Sequence, residues 1–363
     1  NFTTGPLLRV AYFDCGAARR GRLLLVIHHL AIDGVSWRVL LEDFQTAYQQ
    51  LSTGNPVQLP PKTTSFKAWA QKLTEYAQSD AARAEFTYWQ SLAEGHVAPL
   101  PVDYAEGENT QARAQTAAIS LSEEETRALL QEVPAAYGTE ISEVLLAALA
   151  RTFARWTGSR ELLVDLEGHG REEIIAGVDL TRTVGWFTSL YPMRLRLPVN
   201  DAPGEALKAV KEQLRRVPNR GIGFGILRWL SRDEAIKQSL RALPQPEVGF
   251  NYLGQVDQTL RGDSPFRPAR ESVGASQSAR SERPHRIEIN GSITGGRLQL
   301  GWSYSAAQYR PATIERLASD YLARLRELIA HCQHAESGGY LPSDFPDVAL
   351  NQAELDAILE EIG

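Results

Sequence analysis

The sequence predicts a mixed α/β protein, two sandwich lobes in which helices cover sheets. Strand and helix signals are interleaved along the chain without strict alternation. A polar stretch containing Pro, Gly and acids, residues 99–114, reads as a hinge between two strand-and-helix halves. The chain has 363 residues, 43% hydrophobic and 23% charged, enough for two domains or one large one with a sizeable core.

Leu7 to Phe13 and Leu23 to Ile27 read as short apolar strands joined by the charged loop Gly16–Gly21. Trp37, Leu40, Leu41, Phe44, Tyr48 and Leu51 recur at helical spacing. After the Pro-rich connection Asn55–Pro61, Phe66, Trp69, Leu73 and Tyr76 mark a second helix. Asp80 is the expected cap of a third, with Phe86, Trp89 and Leu92 on its buried face. Beyond the hinge, Thr116–Leu121 reads as a strand. Ser122 and Glu125 form a capping box for a helix expected to end near Val133. Ile141, Leu145, Ala148, Thr152 and Trp156 trace the next helix, and Leu162–Leu166 a strand ending at Glu167. Ala202–Val217 is helical. Arg286–Ile293 and Leu298–Tyr304 alternate around Thr294-Gly295-Gly296, a hairpin signal. Pro311 opens a closing helix through Ile314, Leu317, Tyr321, Leu325 and Leu328. Past Ser337 the tail loosens, with a short helix expected over Asn351–Ile362.

A net charge of −6 gives no indication of a nucleic-acid surface. No apolar run reaches membrane-span length and no signal peptide is visible, so no membrane association is expected. Cys15 and Cys332 lie far apart in sequence, which favours reduced structural thiols and a cytoplasmic setting. The chain opens with Asn1, and residues 2–13 already read like the middle of a domain, so a fragment of something longer is expected.

Five stretches are candidates for chemistry. In the first, His28-His29 ends a strand and Asp33-Gly34 turns the chain into a helix. An imidazole titrates near neutrality and suits proton transfer. The same pair also reads as two hydrogen-bonded core histidines, or as part of a metal site, although no third ligand follows at a zinc spacing. In the second, Glu167-Gly168-His169-Gly170-Arg171-Glu172 closes a strand, and its glycines permit close approach to a ligand; alone it reads as a solvated loop. The third, Arg182–Pro192, reads as an aromatic-rich core strand around Trp186 and Phe187. The fourth, Pro218–Gly225, has the wrong glycine spacing for a dinucleotide fingerprint. The fifth, Phe250-Asn251-Tyr252-Leu253-Gly254-Gln255 with Val256-Asp257 following, reads as an edge strand with a packed tyrosine.

Taken in order, these five resemble the motifs of epimerization domains of nonribosomal peptide synthetases, a branch of the condensation-domain superfamily that is related to chloramphenicol acetyltransferase. His28-His29-x3-Asp33-Gly34 resembles HHxxxDG, and Val35-Ser36-Trp37 looks like the epimerization branch of it. The others are similar to EGHGRE, TVGWFT, PxxGxGYG (with Phe224 for the tyrosine) and FNYLGQFD, and Pro342–Pro346 is common after such domains. The resemblance implies two chloramphenicol acetyltransferase-like lobes forming a V around a central channel. It lacks the family's N-terminal portion, so the first lobe is expected to be incomplete. The implied division is 1–105 (end of the N-terminal lobe, with HHxxxDG), 106–345 (C-terminal lobe) and 346–363 (tail).

The resemblance also implies a site. His29 and Glu167 would be catalytic, with His28, Asp33, Asn251 and Tyr252 supporting; His28 would be structural and Asp33 an ion-pair partner. Trp37, His169, Arg171, Trp186, Phe187, Gly221 and Gly223 would line the substrate channel, and no metal is implied. The substrate would be an aminoacyl or peptidyl thioester on the 4'-phosphopantetheine arm of a partner peptidyl carrier protein. A downstream condensation domain is the other implied partner, and no cofactor would be bound directly. A thioester acidifies the adjacent Cα–H, so proton removal and return by two groups on opposite sides would invert the centre. Rival readings are a condensation domain forming peptide bonds with the same His29, a stand-alone acetyltransferase, and a degenerate docking module.

Overall fold

A computed structural model describes residues 3–95, 97–255, 264–334 and 339–345, together with 348, 352, 354, 355, 357 and 358. Val256, Asp257, Ser337 and Pro346 lie outside the described residues, and only isolated positions of the expected tail helix fall within them.

The chain folds as mixed α/β. Strands β1 (Leu8–Phe13) and β2 (Arg22–Ile27) form an antiparallel pair in which Leu8 faces Ile27. Helix α1 (Gly34–Ser52) follows, then α2 (Phe66–Tyr76), capped by the Ser65 side chain. The expected third helix is two short ones, α3 (Asp80–Ala84) and α4 (Phe86–Gln90). Ser79 rather than Asp80 caps α3, because its side chain accepts the Ala82 N–H while Asp80 sits one place inside. The break falls at Glu85. Its buried carboxylate accepts from the Trp89 indole at 3.2 Å and the Asn219 amide at 2.7 Å.

The larger sheet has six strands in the order β3-β8-β7-β6-β4-β5. They are β3 (Ala114–Ser120), β4 (Glu161–Gly168), β5 (Ser189–Arg196), β6 (Val248–Gln255), β7 (Ile287–Thr294) and β8 (Arg297–Ser305). β6 runs parallel to both β4 and β7; the other pairings are antiparallel. It is therefore an interior strand, not the edge strand expected. Its long connections from β5 and to β7 hide this, because adjacency in sequence says nothing about pairing across them. The hairpin of β7 and β8 turns at Gly295 and Gly296, both at positive φ, as its Gly-Gly signal requires.

Helices α5 (Glu123–Tyr137), α6 (Ile141–Thr157) and α7 (Pro203–Arg215) precede two short ones, α8 (Ile222–Gly225) and α9 (Glu234–Arg241), and the chain later closes with α10 (Pro311–Cys332). α5, α6, α7 and α10 pack on one face of the six-stranded sheet. Alternation decides which residues they cover: Val164 and Leu166, Val248 and Phe250, Ile287 and Ile289 are buried under the helices. Trp302, Phe153 and Tyr321 meet in the middle of that core. α6 is buried on nearly every face from Glu143 to Phe153. α5 runs past its expected end at Val133 to Tyr137. Pro134 withholds only its own donor, while its carbonyl accepts from Gly138 N–H at 2.8 Å and a left-handed Gly138 closes the helix. Residues 182–188 are irregular rather than the strand expected from their aromatics, and β5 begins only at Ser189. The Pro99–Ala114 segment lies along this larger unit, with Asp103 and Tyr104 N–H both bonded to Gln308 O at 3.1 Å. Among the described residues no helix is long and apolar enough to cross a membrane.

Candidate active site

The exposed edge of the site comes from the end of β2. His28 has an extended backbone and caps a short 3-10 turn, its Nδ1 accepting the Leu30 N–H at 3.1 Å. That bond turns His28 to local structure. His29, one residue on, sits with its ring centroid 4.9 Å from that of Trp186. Asp33 then caps α1, its Oδ1 accepting the Ser36 N–H at 2.7 Å.

Asp33 also reaches across to the second half of the chain. Its Oδ2 accepts the Phe187 N–H at 3.0 Å and its Oδ1 lies 3.4 Å from Arg171 Nη2. Ser36 Oγ accepts from Arg171 Nη2 at 2.9 Å and from Gly185 N–H at 3.0 Å. Farther along α1, Glu42 and Asp43 hold Arg182. These contacts clamp α1 to residues 171–187, and a small core of Trp69, Leu180, Phe187, Ile222 and Ile226 fills in beside them.

Glu167 is the second-last residue of β4 and faces away from the helices, since Leu166 and Val164 face them. The Asn251 amide donates to its Oε2 at 2.7 Å. Three cavities meet at this carboxylate. One, of about 680 Å³, brings Glu167 together with His29, Asp33, Trp37, His169, Asn251 and Tyr252. A second of about 680 Å³ runs past Tyr191, Tyr252, Glu172 and Arg220. A third of about 390 Å³ leads to Asp165, His285, Glu288 and Trp229. Glu167 is open to solvent at the junction of these cavities, yet the protein crowding its base desolvates the carboxylate in part and raises its pKa above the usual range, while the His29 and His285 imidazoles offset part of the rise. Burial pushes the Tyr252 phenol up to about 12, so it keeps its proton and is available as a donor.

Arg171, Phe187, Gly221 and Gly223 do not line these cavities. The Arg171 guanidinium is spent on Asp33, Ser36 and the carbonyls of Leu180 and Thr183, and it lies 4.0 Å over the Phe187 ring. Gly221, at φ 88°, leaves room for the Tyr191 ring, and Gly223 for the Glu85 carboxylate. Trp186 stands beside His29 but does not border these three cavities. The residues that sequence reasoning missed are Asp165, His285 and Glu288. Asp165 lies two places before Glu167 on one face of β4, which period-two alternation would have suggested. His285 is a lone histidine before a hairpin, and nothing local marks it. Among the described residues no three His, Cys, Asp or Glu side chains are grouped to hold a metal ion.

A helix-backed mixed sheet, whose open face gathers an imidazole and a carboxylate from two distant parts of the chain, defines a layered α/β protein with a candidate active site. The Condensation domain family model matches residues 1–350, and the chain belongs to that family. It is 51% identical over 358 residues to one of the linear gramicidin synthase proteins of Brevibacillus parabrevis, covering 98% of this chain and 5% of that protein. It is 41% identical to tyrocidine synthase 1 of the same organism, covering 99% of this chain and 34% of that one. The chain thus spans only a small part of the curated relatives it matches. Among solved structures, the epimerization domain from the third module of tyrocidine synthetase B superposes with a TM-score of 0.83 at 38% identity, covering 90% of this chain and 72% of that one. The first condensation domain of the CDA synthetase shares the fold, with a TM-score of 0.58 at 20% identity over 92% of this chain and 69% of that one.

Proposed function

We propose that the chain epimerizes the Cα of an aminoacyl or peptidyl group carried as a thioester on the 4'-phosphopantetheine arm of a peptidyl carrier protein. The observation that carries this reading is that His29 and Glu167 border one cavity from different parts of the chain. Glu167 removes the Cα proton, and the thioester carbonyl takes up the charge as an enolate. His29 stabilises that enolate or returns a proton from the other side, which inverts the centre. A carboxylate is a feeble base toward carbon at its ordinary pKa, so the upward push of partial desolvation at Glu167 suits the task. The protonated Tyr252 phenol on the same cavity is a donor for the enolate oxygen. The likeness to the tyrocidine synthetase epimerization domain supports the reading, and a cytoplasmic setting beside the carrier and a downstream condensation domain fits it. The test offers L-aminoacyl carrier protein in heavy water and follows both label at Cα and the enantiomer ratio. Glu167→Gln is expected to abolish label uptake; exchange at the wild-type rate removes Glu167 as the base.

The second reading is peptide-bond formation, supported by the match to the Condensation domain model and using the same His29. Chiral analysis separates the two: condensation lengthens the chain and leaves handedness unchanged.

A further inference from the structure

Strands β4, β6 and β7 lie side by side, and their register sets Asp165, Gly249 and Glu288 on one rung. Two residues farther along each strand, Glu167 and Asn251 meet through the amide hydrogen bond, with Asn290 opposite Asn251. Period-two alternation puts both rungs on the face turned away from the helices. The first rung lacks a side chain at its centre. A Cβ at Gly249 would stand 2.7 Å from His285 Nδ1 and 2.9 Å from its Cε1, so the imidazole lies in the notch that the glycine leaves.

His285 enters that notch from just before β7. Its Nε2 is 2.8 Å from Asp165 Oδ2 and its Nδ1 is 3.6 Å from Glu288 Oε1. The residue is only 8% exposed. Burial opposes a charge on the ring, but the hydrogen bond to Asp165 and the nearby carboxylate of Glu288 outweigh it and lift the pKa to about 9. Asp165, His285 and Glu288 line the same cavity as Glu167 and Asn251.

We propose that His285 is a positioning residue for Glu167: a fixed imidazolium one rung away, on the same open face of the sheet, that favours the ionised, proton-accepting form of the carboxylate. This rests on reading Glu167 as the base. The charges that act on Glu167 are His29 from the turn after β2 and His285 and Glu288 from the β7 side. Asp165 shares its strand, and Arg38, His169, Glu172 and Arg220 border the adjoining cavities. His285 faces Asp165 and Glu288, with Arg283 3.3 Å from Glu288 and Arg228 across the cavity. A purely mechanical tie to β4 would use the same His285–Asp165 hydrogen bond, so stability alone does not test the idea; the pH profile does.

The experiment measures deuterium entry at Cα against pH for the full chain with L-aminoacyl carrier protein, comparing wild type with His285→Gln and Asp165→Asn. His285→Gln keeps a hydrogen-bonding side chain and removes the charge. Expected is a displacement of the acid limb to higher pH in both variants, with the rate at the low-pH end falling severalfold more than at the high-pH end. An acid limb that stays in place, whatever the change in Tm, overturns the proposal. Nitrogen-15 histidine spectra of the wild type provide a test that needs no variant. The His285 ring is expected to hold both protons just above neutral pH, and a neutral ring there overturns it. Full exchange by Glu167→Gln sinks the reading of Glu167 as base, whereas an unmoved limb in His285→Gln with an inactive Glu167→Gln sinks this inference alone.

Discussion

Asp33 and Arg171 stand 3.4 Å apart across the two halves of the chain, both almost wholly buried, and with Ser36 they fix α1 against the segment that follows β4. The histidine turn and the glutamate strand are joined through this ion pair, which itself touches no reacting atom.

Removing one side of that pair strands the other. Asp33→Ala is expected to destabilise the fold on the order of 3 kcal/mol, because a buried guanidinium loses its counter-charge. The double variant with Arg171→Met should cost clearly less than the sum of the two single changes. Urea midpoints measure this, and strict additivity would disprove the coupling.

Asn251 holds the Glu167 carboxylate by a single amide donor at 2.7 Å. Asn251→Ala leaves the base in place but unaimed. Deuterium wash-in at Cα should slow by about 10- to 100-fold with little change in KM, the range expected for a misplaced reacting group. An unchanged kcat would show that the bond does not matter.

Partial desolvation by the surrounding protein raises the Glu167 pKa. A base works only when ionised, so activity is expected to be full at high pH and to fall as pH drops through that raised value. The acid limb of kcat/KM should therefore lie above the ordinary carboxylate range, and a limb within that range would contradict the assignment.

Gly221 has φ 88°, and its missing side chain is the space occupied by the Tyr191 ring. Gly221→Ala faces both backbone strain and overlap, with an expected loss of about 1–3 kcal/mol. Differential scanning calorimetry reads it directly. A neutral result would mean that the turn relocates freely.

Lys211 is wholly buried, and its ammonium meets Asp344 of the tail at 2.7 Å; Arg215 also reaches Asp344. Asp344→Ala leaves that ammonium without a carboxylate and is expected to cost on the order of 3 kcal/mol. Lys211→Met replaces it with an apolar chain, and Asp344 keeps Arg215, so it should cost less. Equal losses in chemical denaturation would refute the asymmetry.

Much of this molecule is legible from pattern. The long helices α1, α6 and α10, the Ser122–Glu125 capping box and the Gly295-Gly296 hairpin declare themselves through local chemistry. His29, Glu167, Asn251 and Tyr252 stand out through motifs, and the structure brings them to one cavity. What stays hidden depends on distant partners. Helix α9, capped by Asp233, is short enough that its apolar positions Ile236 and Leu240 barely establish a period. His285 acquires meaning only from Asp165, which is 120 residues away in sequence. The interior place of β6 follows from parallel pairings that no local pattern encodes.

The parallel pairing of β4 with β6 also governs the order of assembly. Glu167 and Asn251 are separated by 84 residues, and closing so long a stretch of chain is entropically slow compared with forming a helix. During refolding, the environment of the carboxylate is completed only once that closure has occurred. The far-ultraviolet helical signal should accordingly return before the capacity to exchange the Cα proton does, and chains caught in between would be compact, helical and chemically silent.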